Sequence, residues 1–379
     1  MNISCRCCKS PIKSEPIFVL NNMPKSAQFF PKEDELDTEK GVDIVLYQCP
    51  YCGLVQASGE PVSYFRDVIR ATGVSGEMGS FRNKQYSEFV DKYGLADKKI
   101  IEIGAGSGEY MQYMEASCKQ VYGLEHLKSS VEKAEAAGHK MIKGFIEDES
   151  YVIDGGPYDG FYIMNYLEHI PDPAGFVRGI FNNLSNGAVG IVEVPNFDMM
   201  LKEDMYSEFI QDHLSYFRSD TLKTLLEHNG FDVLELKPIW YDYILSAVVR
   251  KRSIMNLSSM QDQKDKLYHE IQTFLKGCKD KGEKIAIWGA GHQALANMSL
   301  LEMDRYVEYV LDSADFKQGF YTPATHIPIV APSEMSAKGI SVVIIMAGSY
   351  SEEISRIMDE KYPDVIWRIL GSDGLYGKE

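Results

Sequence analysis

Four of the seven cysteines in this 379-residue chain form two Cys-x-x-Cys pairs, Cys5 with Cys8 and Cys49 with Cys52. Each pair can turn two sulfurs toward one ion, and four thiolates complete the tetrahedral shell of a structural zinc with no position left for a reactant. In "CPYCGL" Gly53 stands where the second pair must turn back, while Cys7 can compete with Cys5 or Cys8 as a ligand. A second kind of chemistry is marked by "IIEIGAGSGEY", where Glu102 precedes Gly104, Gly106 and Gly108 at the end of an apolar run. Glycines there let the backbone turn tightly and approach a bound ligand. Glu125 closes the next apolar run, where a carboxylate can take both hydroxyls of a ribose. A third is "SEFIQDHLSYF", Ser207 to Phe217, in which Asp212 adjoins His213. An imidazole titrates near neutrality and can accept a proton there, and a neighbouring carboxylate can raise its basicity or bind a substrate hydroxyl. Adjacent residues in extended backbone point to opposite sides, so the spacing leaves direct contact between the two open.

Elements must bring these residues together. From Asp97 onward apolar strands alternate with amphipathic segments: Ile100 to Ile103, "QVYGLEH", a stretch around Met141, "YDGFYIMNYLEHI" and "AVGIVEVPNF", closed by "FDVLELKPIW" and "YDYILSAVVR". That alternation predicts an α/β fold with a parallel, doubly wound sheet. Such sheets bind ligands at the carboxyl edge of their strands. Asp212 and His213 fall after the fifth strand and before "SDTLKTLLEHNGF", a helix for which Ser219 or Asp220 is the expected cap. The charged amphipathic stretch Met260 to Gly282 reads as a connector, after which "KIAIWGAG", "HQALANMSLL", "YVEYVLD" and "ISVVIIMAG" outline a second, Rossmann-like unit. Its "GAGHQ" turn and Asp312 have the outline of a dinucleotide site, with Gln293 and Ala294 where the final glycine would stand. His292 opens a helix there, where backbone N–H groups can hold a phosphate. The expected division is a zinc-binding domain over 1–65, a core over 66–255, and a linker helix with a Rossmann-like domain over 256–379.

Composition narrows the partners. A formal net charge of −16 repels phosphate backbones and acidic membrane surfaces, which argues against polymeric nucleic acid and against a membrane. No stretch reaches the ~18 apolar residues of a membrane helix, and "MNISCRCCKS" lacks the apolar core of a signal peptide. The expected location is the cytoplasm, where paired cysteines point to metal before disulfides.

Together "IIEIGAGSGEY", "YGLEH" and "MNYLEHIPDPAGFV" resemble the successive cofactor motifs of class I S-adenosylmethionine-dependent methyltransferases. The resemblance implies that Gly104, Gly106 and Gly108 border the methionine part of the cofactor and that Glu125 holds its ribose, with Glu102 before the turn also counted as a cofactor residue. It puts His126 and Glu147 near the adenine and Asn165 near the sulfonium. His169 in "LEHIPDP" reads as a residue that orders a loop. The whole order, from the paired cysteines through "VEVPNF" and the acid-His pair to "VLDSADFKQGFYTPATHIPIVAPSEM", resembles the three-domain sugar C-methyltransferases of deoxysugar pathways. That family methylates a ring carbon of a nucleotide-linked keto sugar, so the resemblance implies S-adenosylmethionine, structural zinc and a nucleotide-linked sugar as ligands. It also implies His213 as the base, with Asp212 assisting. The chain departs from the family in two places. Ile210-Gln211-Asp212-His213 stands where Tyr-x-Glu-His is usual, removing a phenol, and Arg70 and Thr72 stand where the family carries Tyr and Ser. Arg70, able to hold a carboxylate or phosphate with two parallel bonds, joins Tyr216 and His292 as an expected substrate contact. The rival readings are an O- or N-methyltransferase acting on a related sugar or small molecule, in which the same His would deprotonate a hydroxyl, and a zinc-ribbon binding protein without catalysis.

Overall fold

A computed structural model describes residues 3–28, 30–67 and 74–378, so Arg70 and Thr72 lie outside the described residues. The chain divides into two compact units, Met1–Ile254 and Met255–Glu379.

The first unit is built on a seven-stranded sheet. From edge to edge its strands are Phe231–Ile239, Ile244–Lys251, Leu184–Pro195, Tyr158–Met164, Lys99–Ile103, Gln120–Glu125 and Met141–Lys143. The last five are mutually parallel, and Ile244–Lys251 runs antiparallel to both its neighbours. This is the doubly wound sheet that the alternation predicted. Ile100, Ile101, Ile103, Phe161 and Ile163 are all buried, as continuous apolar runs must be when helices cover both faces. Strand order reverses between Lys99–Ile103 and Tyr158–Met164, which opens a crevice at their carboxyl ends.

The helix Gly76–Tyr93 packs Tyr86, Phe89 and Val90 against this sheet. Ser75 caps it, its Oγ accepting from the Met78 N–H at 3.1 Å. The same helix carries Arg82, whose guanidinium lies 2.7 Å from the Glu193 carboxylate with both side chains 0% exposed. Gln85 and Ser246 donate to the other Glu193 oxygen at 2.6 and 3.1 Å. The pair can stay charged out of water because each ion is the other's main solvation.

The first 65 residues do not form a compact unit of their own. Strands Phe18–Met23, Val42–Gln48, Val55–Ala57 and Ser215–Tyr216 form one antiparallel sheet, so a strand from beyond residue 200 completes the N-terminal layer. Cys5, Cys49 and Leu54 share a core with Phe217 and Leu222. The helix Ser219–His228 is not capped by Ser219 or Asp220 as expected. Asp198 accepts from the Ser219 N–H at 2.9 Å, and the Thr221 hydroxyl accepts from the Arg218 N–H at 2.9 Å.

The second unit carries a six-stranded sheet in the order Ile329–Val330, Val307–Leu311, Ile285–Trp288, Val342–Ile345, Ile366–Leu370 and Leu375–Tyr376. All pairings but the last are parallel. The helix Ser258–Asp280 buries Ile271, Leu275 and Cys278 in this unit's core, so the expected connector is part of the second unit. Asp312, the acid that would hold a ribose in a dinucleotide site, accepts from Ala290 N–H, Ala314 N–H and Lys317 Nζ at 2.8, 2.9 and 2.9 Å. Its carboxylate is committed to its own turn. Among the described residues no helix is long and apolar enough to cross a membrane.

Arg82→Met leaves Glu193 buried without its cation and should lower the unfolding free energy by about 3–5 kcal/mol, read from urea denaturation. The double variant Arg82→Met, Glu193→Leu should recover most of that loss.

Candidate active site

The crevice of the first unit holds a cavity of about 440 Å³ lined by Gly104, Gly106, Glu125, Asn165, Glu168, His169, Asp212 and His213. Gly104 and Gly106 have φ of +74° and +58°, and a Cβ on Gly104 would lie 2.9 Å from the Tyr166 ring. Only glycine fits that turn without strain. The Gly106 N–H donates to Glu125 Oε2 at 2.9 Å and the Leu127 N–H to Oε1 at 2.8 Å. Each carboxylate oxygen thus keeps a lone pair for a further donor, as a ribose diol requires. Burial pushes the Glu125 carboxyl up, against the pull of those backbone bonds. Asn165 sits at φ +50° just past the strand Tyr158–Met164, its N–H anchored on the Glu193 carbonyl at 2.9 Å. Its Oδ1 is buried with no hydrogen-bond partner among the described residues. Two acceptors with spare capacity beside a glycine cradle fit S-adenosylmethionine, a ligand rich in donors and positively charged.

Other expected cofactor residues do not line this cavity, although His126 shares a small pocket with Gly104 and Glu125. Glu102 is fully buried within the sheet and does not line the cavity; its charge, after burial itself, pushes the Tyr162 phenol up. Gly108, at φ +85°, serves packing, since a Cβ there would meet His139 Cδ2 at 2.5 Å. His126 faces Asp67 at 3.8 Å and Glu147 pairs with both nitrogens of an Arg66 fork at 2.8 and 3.0 Å, neither lining the cavity. Tyr216, expected at the substrate, turns its hydroxyl to the N–H and carbonyl of Ile210 at 3.2 Å and closes that loop instead. His292 is exposed on the second unit at the start of the helix His292–Leu300.

His213 and His169 meet edge to face with ring centroids 4.8 Å apart. His169 Nδ1 lies 2.9 Å from the Asp212 carbonyl, an acceptor only, so that nitrogen carries the hydrogen and Nε2 keeps its lone pair. His169 thus orders a loop as expected, but it also faces the cavity. His213 keeps some surface open to the cavity while protein surrounds the ring. That desolvation, reinforced by His169 beside it, pushes its pKa well below the ordinary value, and burial pushes His169 down as well. Both rings are neutral near pH 7.

The Asp212 carboxylate is 3% exposed and accepts from the Tyr64 hydroxyl at 2.6 Å and the Ala27 N–H at 3.1 Å. Among the described residues no hydrogen bond joins it to His213, so any help it gives the imidazole is indirect. Sequence reasoning missed two residues here. Tyr64 supplies the acid with a phenol from 148 positions away, and no local pattern marks it. Glu168 does have a signal, since "LEH" repeats the acid-His adjacency of "DH". It is 2% exposed, and burial pushes its carboxyl up to about 8.

Apart from the cavity, Cys5, Cys8, Cys49 and Cys52 converge, with Sγ pairs at 3.4 and 3.6 Å. Neighbouring sulfurs of a tetrahedral zinc with ~2.3 Å bonds lie about 3.8 Å apart, so the group is close to coordination spacing. Cys7 is buried but outside the group. Glu168, His169 and His213 form a second cluster, with one ligand atom each within 4.8 Å of the others.

The sheet order, the glycine turn after its first parallel strand and the acid ending the second define a class I S-adenosylmethionine-dependent methyltransferase. Residues 78–236 match the family described as "Methyltransferase domain", and residues 250–364 match "C-methyltransferase C-terminal domain". The chain is 22% identical over 364 residues to the C-methyltransferase NovU of Streptomyces niveus, covering 87% of this chain and 86% of that one. It is 30% identical over 176 residues to the ubiquinone biosynthesis O-methyltransferase of Chromobacterium violaceum, covering 41% of this chain and 74% of that protein. Among solved structures, the plantazolicin methyltransferase BpumL in complex with SAH aligns at 15% identity and a TM-score of 0.38, over 47% of this chain and 86% of that one. A methyltransferase from Clostridium acetobutylicum aligns at 13% identity and a TM-score of 0.38, over 45% of this chain and 92% of that one. The chain is a methyltransferase whose C-terminal part matches a C-methyltransferase domain.

Tyr64→Phe removes a hydrogen bond to a buried charge. It should cost about 1.5–3 kcal/mol of unfolding free energy, measured by urea denaturation, while leaving the fold intact by circular dichroism.

Proposed function

We propose that this enzyme methylates a carbon beside the ketone of a nucleotide-linked sugar, with His213 removing the proton from that carbon. The observation that carries this reading is a neutral imidazole, His213, in the cavity that also holds the glycine turn and Glu125. A C–H bond is not nucleophilic until its proton leaves, and an adjacent ketone makes departure feasible by forming an enolate. The carbon that loses its proton to His213 then takes the methyl group. S-adenosylmethionine, when bound, supplies that methyl and a positive charge beside the enolate. Glu125 holds the ribose and the turn at Gly104 and Gly106 borders the methionine portion, while Asn165 offers its buried Oδ1 to the cofactor. His169 acts on the ring of His213 by contact, and Asp212 acts by fixing the loop on Tyr64 and Ala27. Burial weakens the imidazole as a base, but an enolate formed beside the new imidazolium offsets that cost. The resemblance to an O-methyltransferase across the core favours a second reading, in which His213 deprotonates a hydroxyl of a related sugar. The four-cysteine group is read as a structural zinc site that braces the N-terminal layer and, through the pairing of Ser215 with Gln56, the loop before it.

Incubation in deuterium oxide with S-adenosylhomocysteine and a panel of uridine and thymidine diphosphate ketohexoses tests the main reading. Deuterium should enter the carbon beside the ketone; no uptake across the panel sinks the carbon assignment. His213→Gln should bind S-adenosylmethionine like the wild type in calorimetry yet slow the exchange by about 10²-fold or more. Because the His213 pKa is lowered, its basic form persists below the ordinary imidazole range, so the acid limb of kcat/KM should fall below pH ~6.5. Metal analysis should find one zinc per chain, and Cys49→Ser should lose it together with cooperative unfolding of the N-terminal layer. A metal-free wild type that folds normally would falsify the zinc assignment.

A further inference from the structure

We infer that Glu168, as a neutral carboxylic acid, donates a hydrogen bond to the substrate's ketone oxygen and holds that oxygen once it becomes an enolate. The inference rests on the keto-sugar reading above. Glu168 is 2% exposed, lines the cavity, and has an inaccessible Oε2 with no hydrogen-bond partner among the described residues. A buried polar atom without a partner is costly unless a ligand completes it. Its backbone is pinned, since its carbonyl accepts from the Leu214 N–H at 2.8 Å, next to His213. The proposed donor and the base therefore sit on locked, touching segments. The titratable groups around Glu168 are His169, whose Nε2 lies 3.8 Å from Oε1, with His213 in the same cluster and Tyr243 nearby. No lysine or arginine pairs with it among the described residues, and burial outweighs the pull of its own backbone N–H toward the ionised form.

The chemistry needs such a donor. The family's phenol is missing at Ile210, and nearby phenols are engaged: Tyr64 by Asp212, Tyr166 by the Arg66 carbonyl at 3.1 Å and Tyr243 by Glu208 at 2.6 Å. When His213 takes the proton, the C–H electron pair becomes the C=C bond and the carbonyl π pair moves to oxygen, opposite the Glu168 O–H. Methylation of the carbon returns the pair to the carbonyl, and Glu168 keeps its proton throughout. A low-dielectric site that keeps a carboxylic acid protonated is a known way to stabilise an enolate. A metal ion is the rival occupant of this cluster. Neighbouring nitrogen and oxygen ligands of a tetrahedral ion lie about 3.4 Å apart for ~2.1 Å bonds. Here the Glu168 Oε1–His169 Nε2 pair is 3.8 Å apart, wider than that, whereas the cysteine group has pairs at 3.4 and 3.6 Å against the ~3.8 Å of a zinc-thiolate shell.

The test compares wild type, Glu168→Gln, which keeps a donor, and Glu168→Leu, which keeps the bulk without one, in the deuterium exchange with S-adenosylhomocysteine and the ketohexose panel. Glu168→Leu should slow exchange about 10²–10³-fold, and Glu168→Gln by less than about tenfold. The wild-type rate should fall as pH rises through about 8, where Glu168 ionises, and Glu168→Gln should lack that fall. Infrared spectra of the full-length protein at neutral pH should show a protonated carboxyl band that both variants lose. Exchange in Glu168→Leu as fast as in the wild type, absence of that band, or manganese binding that Glu168→Gln abolishes overturns the assignment alone. A wild type that exchanges with none of the ketohexoses overturns the keto-sugar reading, and this one with it.

Discussion

Leu214 is bonded in two directions, and the site depends on both bonds. Its N–H donates to the Glu168 carbonyl at 2.8 Å, and its carbonyl accepts from the Ala57 N–H at 3.1 Å. One bond ties the segment that carries Asp212 and His213 to the turn that follows the strand Tyr158–Met164; the other ties it to the N-terminal sheet. The segment has only a two-residue strand of its own, Ser215–Tyr216. Its buried backbone groups must therefore find partners in its neighbours. The cysteine-bearing layer thus supports the edge of the cavity through ladder bonds, and among the described residues no cysteine lines that cavity.

Burial does different work at two places in the same unit. Arg82 and Glu193 lie out of water as ions because each has the other at 2.7 Å. At the cavity Glu168, His169 and His213 have no such counter-ion among the described residues, and burial drives all three toward their neutral forms. A neutral base can take a proton from a ligand, and a neutral acid beside it can donate a hydrogen bond without giving its proton up. The formal charge of −16 over the whole chain says nothing of this, since the groups that matter carry no charge at rest.

The order of strands, the glycine turn and the acid ending the next strand were legible because each rests on local pattern. Apolar runs at strand spacing put Ile100 and Ile163 inside, and the turn after Ile103 needs residues that tolerate positive φ. Reading by proximity in sequence failed where the partner was distant. The acid near the start of the helix Ser219–His228 is Asp198 of an earlier helix, and Asp312 binds its own turn although its position matches a ribose-binding acid.

By itself the sequence determined the class of fold, the methyl-donor chemistry and the four converging thiols. Period, turn chemistry and Cys-x-x-Cys spacing are set by covalent geometry over a few residues, so one dimension suffices for them. Only the tertiary structure decided which way each side chain points and what surrounds it. It turned Asp212 to Tyr64, turned the Tyr216 hydroxyl back onto Ile210, set His169 edge to face with His213 and brought Glu168 into the lining of the cavity. Those outcomes depend on desolvation and on hydrogen bonds between segments far apart in the chain, and both exist only once the chain has folded.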